Sequence, residues 1–213
     1  MLYIIPTPIN REDVTLRALR LFEELKIFVC EDTRTLKKLL SMYEIDYTDK
    51  EFYSLTSFTD QGKLNHYINL LSDNDVLVSE ATPGLSDPGK SLIKLCNENQ
   101  LNYSVLPGAN ALIPAVVGAF DTSSFVFLFI PQKKRQTILK NIIAKKYEMP
   151  VFFYESVHRF EKLLKELTDL FEQISVSREI SKMYEQIVTN LDEILDLVKE
   201  KKLPVKEFVV GLH

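Results

Sequence analysis

The chain has 213 residues, enough for two domains, with 46% hydrophobic and 26% charged residues, as in an ordinary soluble globular protein. Its net charge of −4 argues against a strongly basic nucleic-acid binder. No apolar run reaches membrane-spanning length, and the two cysteines, Cys30 and Cys96, make neither a disulfide framework nor a zinc pattern.

In chain order, the run 2–5 reads as a buried strand closed by Pro6-Thr7-Pro8. The first residues lack the basic leader region and small-residue cleavage site of a signal peptide, so the expected location is cytoplasmic, with no membrane partner. A helix is expected over 13–25 with Asp13 as its cap. A strand at 27–30 then delivers Glu31, Asp32, Thr33 and Arg34 to its carboxyl end. Helical spacing follows at 36–43, a weak strand at 52–55, a helix at 63–71 and a strand at 75–79.

The next stretch, Glu80-Ala81-Thr82-Pro83-Gly84-Leu85-Ser86-Asp87-Pro88-Gly89, carries two Pro-Gly turn signals among small residues. Proline pre-sets φ and glycine bares the backbone, so the loop is bent and open to a ligand. After a helix at 90–98 and a strand at 103–106 comes a second such loop, Pro107-Gly108-Ala109-Asn110-Ala111. An apolar helix follows at 112–120. Strands alternating with helices imply βαβ units and a mostly parallel sheet, whose strand-end loops are where ligands bind.

The pattern restarts after Asp121-Thr122-Ser123, dividing the chain into domains 1–120 and 124–213. A strand at 124–130 leads to a basic helix at 134–146, then a strand at 150–154 and a helix from His158. A strand at 174–177 enters Arg178-Glu179-Ile180-Ser181-Lys182, and a helix at 191–198 and a strand at 207–212 close the chain. The segment 131–146 holds Lys133, Lys134, Arg135, Lys140, Lys145 and Lys146 with no acidic residue: a solvated helix face, or a nucleic-acid contact.

No dinucleotide or P-loop fingerprint is present, no nucleophile elbow, and no metal-ligand spacing among the three histidines. What remains is a backbone-rich cleft suited to an organic cofactor of low net charge. Two-sided readings attach to the charged candidates. Asp32 and Arg34 orient an acceptor, or Asp32 caps a helix. His158 and Arg159 touch nucleic acid, or start a helix. Glu80 holds a cofactor ammonium, or loop amides. Lys182 lies over the acceptor, or on the surface. A catalytic base is open among Glu31, Asp32, Glu80, Glu179 and Lys182.

The blocks T-P-I-N-x-E-D-V-T, E-D-T-R, S-E-A-T-P-G-L-S-D-P-G, L-P-G-A-N-A, F-Y-E-S-V-H-R and R-E-I-S-K run in order along nearly the whole chain. In that order they resemble the ribosomal RNA small-subunit methyltransferase I family of the tetrapyrrole methylase superfamily, as a divergent, short member. The resemblance implies two α/β domains with a mostly parallel N-terminal and a mixed C-terminal sheet. It also implies S-adenosylmethionine in the cleft between them, a homodimer, and 2′-O-methylation of a cytidine ribose in small-subunit ribosomal RNA. By position it implies cofactor contacts at Pro8, at Glu80, Ala81, Thr82, Pro83 and Ser86, and at Pro107, Gly108, Asn110 and Ala111. Further contacts fall at Tyr154, Glu155 and Ser156, and at Ile180 and Ser181. Asp32, Arg34 and Lys182 would serve the acceptor, and Lys133, Lys134, Arg135, His158 and Arg159 the RNA. The family's D-A-G-T-P is here Glu80-Ala81-Thr82-Pro83, and its S-Y-H-E-H stretch is Ser57-Phe58-Thr59-Asp60-Gln61, without histidines. Small size and net negative charge favour one rival reading, a small-molecule methylase of the same fold, and those losses favour the other, a cofactor-binding dimer without chemistry.

Overall fold

The structure, a computed structural model, describes residues 1–213 except 57–58, 74, 81–88, 131–132, 134, 146–147, 169, 172 and 200–206. It divides into two compact units, Met1–Asn110 and Ala111–His213.

The first unit is built on β1 (Leu2–Pro6), β2 (Ile27–Cys30), β3 (Glu51–Ser54), β4 (Val76–Glu80) and β5 (Tyr103–Val105). They form one sheet in the order β3-β2-β4-β1-β5, with every pairing parallel. Its helices are α1 (Leu16–Glu24), α2 (Thr33–Met42), α3 (Gln61–Asp73) and α4 (Gly89–Glu98). From β1 through β2 to β3 the chain moves one way across the sheet, and from β3 through β4 to β5 it moves back. Right-handed crossovers therefore send the two pairs of helices to opposite faces. The cores agree: Phe22, Leu36 and Leu40 pack with Ile5 and Phe28 on one face, and Tyr67, Leu92 and Cys96 with Ile4 and Val29 on the other. Sandwiched strands must be apolar on both sides, and all four residues of β2 are buried.

The first helix starts later than its periodicity suggests. Asn10 caps a short 3-10 turn, Arg11–Asp13, and the Asp13 carboxylate accepts the Asn10 N–H at 2.8 Å. Asp13 is thus committed to that reciprocal cap. The helix begins beyond it, where the Thr15 hydroxyl accepts the Ala18 N–H at 3.1 Å.

The second unit holds β6 (Val126–Phe127), β7 (Val151–Ser156), β8 (Ile174–Arg178), β9 (Gln186–Val188) and β10 (Glu207–Leu212). The order is β6-β7-β10-β8-β9, parallel between β6 and β7 and antiparallel elsewhere. On one face α5 (Leu112–Ala119) lays Leu112, Ala115 and Val116 against Phe152 and Val209. On the other face lie α6 (Arg135–Lys145), α7 (Val157–Thr168) and α8 (Leu191–Lys199), packed around Leu139, Phe153, Leu163, Val176, Ile194 and Phe208. The Phe160 and Phe208 rings stack there at 4.2 Å.

The division of units falls ahead of α5, where the restart of the sequence pattern placed it behind. The apolar helix has β8, β9 and β10 as its neighbours, so its buried face belongs with the strands that follow it. The strand expected at 124–130 shrinks to two paired residues, and Phe129 is 71% exposed. The sequence reading placed no strand at β9, whose apolar run, Ile187-Val188, is only two residues long.

Both cysteines are buried. Burial, with Asp32 nearby, pushes the Cys30 thiol up to about 12, and burial also raises that of Cys96. The thiolate is the reactive form, so neither should react with an aromatic disulfide reagent at pH 8 until urea unfolds the chain. Rapid release of the coloured thiol from native protein would contradict this burial.

Candidate functional site

In the first unit every strand is parallel, so all five carboxyl ends lie on one edge. Pro6 pairs in register with Glu80, and Cys30 with Ser79. Both neighbours of β4 lead into helices on the face opposite its own, so the chain splays apart on either side of its end. Such switch points are where open α/β sheets hold ligands. Glu80 closes β4 at this position, while Ala81, Thr82, Pro83 and Ser86 lie outside the described residues.

The loop after β5 comes to the same edge. The Leu106 N–H reaches the Ile4 carbonyl at 2.9 Å, and Gly108 presses its backbone on the Pro6 ring. A Cβ on Gly108 would meet Pro6 Cγ at 2.1 Å. Pro107 and Gly108 are exposed, and Pro8, Asn110 and Ala111 are half-buried. This bare, close-packed turn fits an organic cofactor bound through backbone groups.

At the end of β2, Asp32 caps α2, accepting the Arg34 N–H at 2.8 Å and the Arg34 Nε at 3.3 Å. The backbone bond from Arg34, then its side chain, hold the Asp32 carboxyl below its usual range. A carboxylate so engaged is a weaker base, so the capping role accounts for Asp32. The Arg34 side chain is 91% exposed.

In the second unit the period of β7 separates three adjacent candidates. Tyr154 shares the α5 face with Phe152, and Ser156, two residues on, falls on that face by alternation. Glu155 points the other way and is 3% exposed. One carboxylate oxygen accepts the Ser156 N–H at 2.7 Å and Arg159 Nε at 2.6 Å, and the other faces Arg135 at 3.5 Å. Arg135 in turn holds Glu166 through two bonds of 3.0 and 3.1 Å.

Arg135 therefore does not stand on a basic surface for RNA. It is 6% exposed, and its partners come from β7 and α7, beyond the segment that looked free of acid. Lys133 and His158 are exposed, Arg159 is partly so, and Lys134 is outside the described residues. In the turn between β8 and β9, Ile180 is buried and Glu179 and Ser181 take left-handed φ of 50° and 64°. Lys182 pairs with Glu179 at 3.2 Å. The same turn exposes Met183 by 88% and Tyr184 by 67%, which sequence reading missed because an apolar pair resembles core. Among the described residues no helix is long and apolar enough to cross a membrane.

The profile of the family described as Tetrapyrrole (Corrin/Porphyrin) Methylases matches residues 1–195, which defines the class of protein. Solved structures share the fold. A cobalt precorrin-4 methyltransferase, CbiF, superposes with a TM-score of 0.69 over 99% of this chain and 93% of its own, at 13% identity. The uroporphyrin-III C-methyl transferase of Thermus thermophilus, complexed with S-adenosylhomocysteine, gives 0.63 over 98% and 96%, at 15% identity. Nearer in sequence are proteins named ribosomal RNA small subunit methyltransferase I. That of Helicobacter pylori (strain ATCC 700392 / 26695) is 36% identical over 100% of this chain and 83% of its own. That of Hydrogenobaculum sp. is 36% identical over 99% and 94%, and that of Bacillus subtilis 30% over 95% and 72%. The chain belongs to the tetrapyrrole methylase family of methyltransferases and, within it, to the ribosomal RNA small subunit methyltransferase I family.

Proposed function

We propose that this protein is an S-adenosylmethionine-dependent methyltransferase that methylates a cytidine ribose 2′-hydroxyl in small-subunit ribosomal RNA, as a cytoplasmic homodimer. The observation that carries the reading is identity of 36% to relatives of that name along essentially the whole chain. The dimer is supported by Ile113 and Val117, 51% and 75% exposed on the outer side of α5.

The cofactor is proposed to lie against Pro8, Glu80, Ala81, Thr82, Pro83 and Ser86, and against Pro107, Gly108, Asn110 and Ala111. Tyr154, Ser156, Ile180 and Ser181 complete the contacts. Bound there, it supplies a methyl group activated by a sulfonium. Transfer to a ribose hydroxyl would discharge that cation and release the hydroxyl proton, so the residues' task would be to align the ribose oxygen, exclude bulk water and let that proton pass to a base. Alignment alone can supply ~7–11 kcal/mol. Lys182 and Arg34 are the cations proposed to orient the acceptor. Lys133, Lys134, His158 and Arg159 are proposed to hold its phosphates.

Tritium from labelled cofactor is expected in the RNA of purified small subunits. Label confined to a small-molecule fraction of cell extract would redirect the assignment, and no label on any acceptor would remove the enzymatic one. Exchanging Lys133 and Lys134 together for alanine should flatten the salt dependence of RNA binding by roughly 0.7–0.9 per lost phosphate contact. Arg34→Ala should lower turnover more than RNA binding, without loss of stability.

A further inference from the structure

We infer that Glu155 is a positioning residue: with Arg135, Arg159 and Glu166 it sets the end of β7 so that Tyr154 and Ser156 meet the cofactor. This rests on the cofactor reading above. The resemblance put Glu155 itself among the cofactor contacts, yet its carboxylate lies on the sheet face opposite Tyr154.

β7 ends at Ser156 and α7 begins at Val157, with no linker between them. The chain must turn from strand to helix in one step, and Tyr154 and Ser156 sit at that step. Nothing in an apolar core has the directionality to hold such a junction at one angle. Two hydrogen bonds to a carboxylate and an ion pair beside them do. Glu155 takes the Ser156 N–H and the Arg159 guanidinium, one from the end of the strand and one from the first turn of the helix. Arg135, the first residue of α6, closes on Glu155 and also grips Glu166 in the last turns of α7. Three elements thus converge on one carboxylate that is 3% exposed.

The charges balance, two arginines against two glutamates, and all but Arg159 are largely withdrawn from water. Ion pairs at such depth lose in hydration much of what they gain in attraction, and apolar residues would often hold the core as well. What the network supplies and apolar residues would not is a fixed geometry. Position, not net stability, is what it contributes to the cofactor face of the sheet.

Calorimetric titration of the full chain with S-adenosylhomocysteine tests the assignment. Glu155→Gln keeps the shape, removes the charge, and should weaken binding at least tenfold. Turnover on small subunits at saturating cofactor should stay within about threefold, which places the defect in KM. Glu155→Asp retains the charge and should recover part of the affinity. Leu163→Ala empties the same core away from the network. It should lower the melting temperature as much as Glu155→Gln does and leave affinity within twofold. Unchanged affinity in Glu155→Gln, or equal weakening in Leu163→Ala, overturns the assignment while leaving the cofactor reading intact. A wild-type chain that gives no heat with S-adenosylhomocysteine overturns both.

Discussion

Replacing Arg135 by alanine is expected to remove about 3–5 kcal/mol of stability, the usual result of deleting one partner of a buried ion pair. The change strips Glu166 of both its guanidinium bonds and leaves Glu155, 3% exposed, with Arg159 as its remaining cation. A surface cation in a basic helix would behave otherwise, with a change within roughly 0.5 kcal/mol. Lys133→Ala is the matching control, because Lys133 is exposed two residues away. Urea unfolding of the two variants side by side distinguishes the cases, and equal midpoints would mean that Arg135 is not held as described. Acid should act on the same network. The Arg135 guanidinium holds the Glu166 carboxyl below the ordinary glutamate range. A folded-state value below the unfolded one gives stability that is complete above the unfolded value, ~4.3. It is lost as pH falls through the lower folded value. Glu166→Gln should therefore flatten the fall of stability with pH in that acid window and leave its slope near pH 7 unchanged.

Gly108→Ala is expected to weaken S-adenosylhomocysteine binding at least tenfold, about 1.4 kcal/mol. The added Cβ would stand 2.1 Å from Pro6 Cγ, a distance no pair of carbons tolerates. Pro6 cannot give way: it is buried, its ring is rigid, and it pairs with Glu80 at the end of the sheet. The loop 107–111 must back away instead, and with it the backbone groups proposed to line the cofactor. The requirement is space, since φ at Gly108 is not left-handed. Overpacking of this kind costs typically 1–3 kcal/mol of stability as well. Gly62→Ala is the control: the nearest atom to its Cβ is the tip of the Asp60 side chain at 3.1 Å, which can move. Equal affinity in the two variants would show that the Pro6–Gly108 contact does not shape the site.

How much of this was legible beforehand differs from element to element. The strands β1 and β2 announced themselves, because a strand covered by helices on both faces must be apolar at every position. The loops at 80–89 and 107–111 were legible through proline and glycine, whose backbone limits act whatever surrounds them. The cap at Asp32 was one of two open readings, and the geometry at the start of α2 realises it. Asp13 looked equally suited to start a helix. Its reciprocal bond with Asn10 shows that a cap depends on the partner within reach, not on residue type alone.

Local chemistry acts through neighbours in the chain, and that is what the sequence determined here: parallel βαβ order in the first half, turns with bare backbone, and blocks of family-like residues in family-like order. The fate of Arg135 was decided elsewhere. Between 131 and 146 no acid accompanies it, and only folding brings Glu155 and Glu166 to its guanidinium. Membership of α5 was decided in the same way, since an apolar helix fits any apolar face until one is built beside it. So was the opposed aim of Glu155 and Tyr154, which follows from the pleat of β7 once β10 fixes its register. Coulomb attraction and burial depend on distance in space, and residues 20 to 31 positions apart along the chain acquire that distance only when β7 and α7 pack against α6.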